Sequence, residues 1–93
     1  MATRLKRVTA TGAVHTGKAW LKSVMLTPAA AVAMLDVRDD TSGATTILLS
    51  VQSAVSGNSA GWTSGDTEGV WMTTGIHATL TGAGATATFE YEV

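Results

Sequence analysis

The sequence predicts an all-β protein: one antiparallel β-sandwich, jelly-roll or Ig-like, of about seven to eight strands. Three observations carry this. Sixteen threonines, nine valines and ten glycines stand against a single proline, a mixture that favours pleated strands and turns over helices. Large residues recur with a period near two for most of the length, which buries one face of a strand. Turn-forming residues punctuate the chain about every ten residues, the spacing of a sandwich.

A first extended segment covers residues 5–14, with Val8, Ala10 and Gly12 on one side and Arg7, Thr9 and Thr11 on the other. Residues 1–7 are expected to form an N-terminal arm on a single domain spanning 1–93. A second strand runs over residues 18–27. It alternates Trp20, Lys22, Val24 and Leu26 with Leu21, Ser23 and Met25, so both of its faces are partly apolar, and Pro28 ends it because proline gives no ladder donor. The following AAAVAMLDV has helix-forming residues, but it is short, uncapped and without a 3.6-residue stripe. A strand over residues 32–38 is therefore preferred, closed by a turn at 39–43, with a return strand at 45–52 carrying Ile47, Leu49 and Val51 inward.

Residues 53–69, SAVSGNSAGWTSGDTEG, lack periodicity and are rich in glycine and serine, which predicts one long loop with Trp62 exposed at its middle. Two strands complete the chain, at 70–80 with a break at Gly75 and at 85–93, joined through Thr81, Gly82, Ala83 and Gly84. The last places Ala85, Ala87, Phe89, Tyr91 and Val93 on one face and Thr86, Thr88, Glu90 and Glu92 on the other.

Composition narrows the function. Ninety-three residues with no cysteine exclude a disulfide scaffold and a cysteine zinc site, and the protein is expected to stay in a reducing cytoplasm or to leave by a route other than secretion. Fifteen of the apolar residues are alanine, so the core is thin and neighbours are expected to complete it. The net charge of −1 conceals a division: residues 1–22 carry +5, from Arg4, Lys6, Arg7, Lys18 and Lys22, and residues 23–93 carry −6. Such a split can orient one copy against another or seat the basic beginning on an acidic neighbour. Nucleic acid is not an expected partner, because the basic cluster is short and lacks interleaved aromatics. Neither is a membrane, since the longest apolar run, PAAAVAML, is far too short to span one. No secretory signal follows the basic start.

Catalytic motifs are weak. GAVHTGKA matches the phosphate-loop spacing at Gly12, Gly17 and Lys18, but Ala19 stands where a magnesium-binding hydroxyl belongs and the continuation alternates like a strand. Residues 12–18 therefore read as a hairpin turn. His15 and His77 have no cysteine nucleophile or glycine-flanked serine elbow to work with. Asp36, Asp39 and Asp40 lack a calcium-loop pattern, Asp39 and Asp40 suit a turn, and Asp66 with Glu68 forms a second acidic group. No catalytic residue, cofactor or metal is expected. Trp20 and Trp71 fall in alternating segments and fit the core or an interface, whereas Trp62 fits a subunit contact. The expected partner-facing residues are Arg4, Lys6, Arg7, Trp20, Trp62 and Trp71.

VTATGAV, VAMLDVRDDTSGATTILLSVQ and GVWMTTGIHATLTGAGATATFEYEV together resemble small β-rich virion structural proteins of tailed bacteriophages, of the head decoration, cement or head-fibre type. The late element is Gly75-Ile76-His77-Ala78-Thr79-Leu80-Thr81-Gly82. The resemblance covers roughly residues 8–93 and implies no enzyme activity. It implies a capsid decoration or cement protein, assembled into the virion in the host cytoplasm. Its partners would be the major capsid protein or other virion subunits, and it would be a homo-oligomer, with a trimer favoured. The alternative is a head-fibre, tail or adhesin component that binds host-surface carbohydrate.

Overall fold

In a computed structural model, residues 3–29, 32–53, 59–65 and 68–93 are described. They form an antiparallel β-sandwich with nine strands and no helix. The strands are β1 (Thr3–Val8), β2 (Gly12–Thr16), β3 (Ala19–Thr27), β4 (Ala33–Arg38), β5 (Leu49–Ser53), β6 (Ala60–Thr63), β7 (Val70–Met72), β8 (Gly75–Thr81) and β9 (Thr86–Glu92). Sheet A has the order β1-β9-β3-β6, with β7 also paired to β3, and sheet B has the order β2-β8-β4-β5.

The first predicted segment is two strands in different sheets. A bend at residues 9–11 carries the chain from sheet A to sheet B. Residues 1 and 2 of the expected arm lie outside the described residues. From Thr3 onward that stretch is an edge strand whose six residues pair in register with β9, from Thr3↔Glu92 to Val8↔Ala87, rather than a free arm. The expected turn at 12–18 is instead β2 followed by a tight bend at Gly17, whose φ of 107° suits glycine.

The two-sided apolar pattern of β3 has a single cause. Its register against β9 slips between Leu21 and Ser23, a β-bulge at Lys22. Before the bulge Ala19 and Leu21 point into the core, and after it Val24 and Leu26 do. One extra residue thus reverses the alternation while keeping the inner face apolar.

The core lies between the sheets. Phe89, the sole phenylalanine, is fully buried on β9, between β1 and β3, and packs with Leu21, Leu26, Leu35, Val37, Met72 and Ile76. Alanines 19, 33, 78, 85 and 87 fill the remaining close contacts. At one end His15 of β2 meets Tyr91 of β9 across the sandwich, with ring centroids 5.2 Å apart.

Two expectations are corrected. The return strand begins at Leu49, and Ile47 is exposed. Residues 39–48 form a strap instead, which Arg38 holds by donating from Nε to the Thr45 carbonyl (2.9 Å) while the Leu48 N–H donates to the Val37 carbonyl (2.8 Å). Within the expected long loop, residues 54–58 and 66–67 lie outside the described residues, but residues 60–63 are strand β6, paired with β3 through Leu26↔Ala60, Met25↔Gly61, Val24↔Trp62 and Ser23↔Thr63.

Candidate binding face on sheet A

The registers fix which side chains share the outer face of sheet A. Cross-strand partners point to the same side of a pleated sheet, so the face is built from rows running across the strands. One row holds Thr3, Glu92, Trp20 and Trp71; the next holds Leu5, Glu90, Ser23 and Thr63; a third holds Arg7, Thr88, Met25 and Gly61. Rows lie two residues apart along each strand, about 7 Å.

The second and third rows enclose an open trough of about 400 Å³, lined by Leu5, Ser23, Met25, Gly61, Thr88 and Glu90 among others. Gly61 sets its floor. A Cβ there would come within 3.1 Å of the Val24 carbonyl oxygen, so a side chain would both crowd the ladder and fill the trough. Apolar and polar groups alternate around it: Leu5 is 73% exposed and Met25 53%, while Ser23 Oγ donates to Glu90 Oε1 at 3.1 Å. In the first row Thr3 Oγ1 donates to Glu92 Oε1 (3.2 Å), and Lys22 at the bulge pairs with the same carboxylate (3.5 Å). Trp20 and Trp71 are direct cross-strand partners with ring centroids 4.9 Å apart, tilted by 51°, and Trp71 stays 42% exposed.

The outer face of sheet B is different because the strap runs over it. Gly43 lies against the His77 ring, which is only 6% exposed. Arg38, opposite His77 on β4, donates from Nη1 to Thr79 Oγ1 at 2.8 Å. The Nδ1 atom of His77 is buried with no hydrogen-bond partner among the described residues.

Asp39 anchors the start of the strap. Its carboxylate accepts from the backbone N–H groups of Thr73 (2.9 Å), Thr74 (2.8 Å) and Gly75 (3.3 Å) and from the Thr73 hydroxyl (3.0 Å). Partial burial acts to raise its pKa, but these donors together outweigh it and hold the group below the ordinary 3.8. The Asp40 carboxylate is lowered chiefly by the Thr41 N–H (2.7 Å) within the strap itself, and Asp36 accepts from Ser50 Oγ (2.6 Å). The three aspartates thus serve three separate contacts. Among the described residues no three acidic or histidine side chains gather as a metal site.

All six expected partner-facing residues lie on sheet A, but not on one surface. Trp20, Trp71 and Arg7 occupy the outer face. Trp62 sits on the inner side opposite Val24, half-buried against the core, so it is not the exposed ring that its glycine-rich surroundings suggested. Arg4 and Lys6 share the inner side with Tyr91 and Phe89, yet both are exposed, so the core does not reach under β1 at these positions. Leu5, Met25 and Gly61 escape sequence reading: Leu5 falls in the expected arm, and the bulge is what turns Met25 outward.

No protein-family model, curated protein or solved structure matches this chain.

Proposed function

We propose that this chain is a non-enzymatic virion structural protein, a capsid decoration or cement protein of a tailed bacteriophage. It binds the outer capsid surface with the outer face of sheet A and stabilises the shell. The observation that carries the reading is the Trp20–Trp71 pair beside the trough, Trp20 half-buried and Trp71 exposed, with Leu5 and Met25 open on the same face. Apolar side chains exposed together in a small domain mark a contact surface, and tryptophan at the centre of such a contact carries much of its binding energy. The trough is open rather than enclosed, which suits a protein surface better than a small substrate. The resemblance of residues 8–93 to virion proteins supplies the partner class.

The test is rebinding to capsids that lack the protein. The wild type binds at a fixed copy number and raises the temperature at which the shells open. Trp71→Ala folds normally but loses most of that binding; binding undiminished by Trp71→Ala contradicts the assignment of the face.

A second reading has its own support. The tilted tryptophan pair next to hydroxyl-lined Ser23, Thr63 and Thr88 can stack a sugar ring. An adhesin would show Trp71-dependent signals on a glycan array and leave capsid stability unchanged.

A further inference from the structure

We propose that the free edge of β1 is a docking site for an extended acidic segment of a partner protein, which adds to sheet A beside β1 and sets its carboxylates against Arg4, Lys6 and Arg7. Among the described residues β1 ends the order of sheet A and pairs only with β9. About half of its six residues therefore direct their N–H and C=O groups away from β9, toward an unoccupied strand position.

The charges on this edge point to the chemistry of the occupant. Three of the six residues are cationic, and Arg4, Lys6 and Arg7 make no ion pair among the described residues. They are distributed over both sides of the strand: Arg4 and Lys6 on the inner side, and Arg7 on the outer side with Leu5. An added strand alternates its side chains in the same way. Acidic residues on its inner side face Arg4 and Lys6, while its outer side offers one apolar contact to Leu5 and one acid to Arg7.

The same charges exclude the simplest competitor. Two β1 edges from two copies would line up six cations along one seam, and like charges on adjacent strands are destabilising. The chain's own acidic strand, β9, is already enclosed between β1 and β3. This inference rests on the assembly reading for its biological partner, but its test needs no particle. Peptide capture at β1 can fail while Trp71-dependent capsid binding holds, and the reverse.

The experiment titrates the isotope-labelled full chain with two capped ten-residue peptides, one of glutamate and threonine with glutamates on both faces of the extended strand and one with lysine in place of each glutamate. The acidic peptide is expected to shift and protect backbone amides of residues 3–8, with affinity falling about tenfold between low and moderate salt. The triple variant R4E/K6E/R7E should lose that binding. R4Q/K6Q/R7Q, which spares the strand any new charge, should weaken it by about tenfold, with the β9 amide signals unchanged in both cases. Equal binding of the lysine peptide, amide shifts confined to the trough, or no protection of β1 would overturn the proposal. So would sedimentation showing that the chain pairs with itself through β1.

Discussion

Asp39 connects two distant parts of the chain, the start of the strap and the β7–β8 bend, by offering one carboxylate to four donors. Because its folded pKa lies below its unfolded value, the stability it contributes is present above about pH 4 and is lost as pH falls through the folded pKa. Asp39→Asn should lower the unfolding free energy at pH 7, read from urea denaturation, by about 1–2 kcal/mol after discounting for solvent exposure. The difference from wild type should shrink as both are taken below pH 4; a constant gap down to pH 2.5 would show that the charge is not responsible. His77 provides the opposite case. Its buried Nδ1 lacks a partner among the described residues, and an unsatisfied buried polar atom costs about 1–3 kcal/mol. His77→Leu is therefore expected to melt at the same temperature as wild type or a few degrees higher, and a large loss would reveal a hidden hydrogen bond.

Among the elements, β3 and β6 decide how the candidate binding face is made. The bulge at Lys22 keeps Leu21 and Val24 both in the core and releases Met25 to the outside. The short strand β6 then seats Trp62 inward and Gly61 outward. The two tryptophans should accordingly part company on mutation. Trp62→Ala is expected to cost about 2–3 kcal/mol of folding stability, less than a fully buried ring because Trp62 is half-buried. Trp71→Ala should cost under about 1 kcal/mol and act on binding instead; paired denaturation curves distinguish the two, and equal losses would refute the assignment of sides.

These elements also show what was legible beforehand. The alternation of β9 was readable because nothing interrupts it, and the inner and outer faces assigned to it match the structure. β6 was hidden because four residues, AGWT, flanked by glycine and serine carry too little period to register. The two sides of β3 could not be separated without knowing that one residue is unpaired, and the strap could not be foreseen from turn residues alone, since long-range contacts of Arg38 and Asp39 hold it. At the candidate site, Trp20, Trp71 and Arg7 were identifiable as partner-facing candidates, but the trough depends on a register between strands far apart in sequence.

At the scale of the whole molecule, the two sheets present unequal faces. Sheet B is partly covered by the chain's own strap over His77, whereas sheet A offers the tryptophan pair, the trough and a cationic edge. A core built largely from alanine, valine and leucine around one phenylalanine leaves little stability to spare in 93 residues. Docking adds stability by mass action, so the chain should melt at a higher temperature on its partner than alone. The most direct measurement is a reconstruction of the particle with this chain in place. The sandwich should appear as density on the outer capsid surface, with Trp71 and Met25 of sheet A turned toward the shell. A chain seated by sheet B, with the tryptophan pair facing solvent, or one absent from the shell altogether, would contradict it.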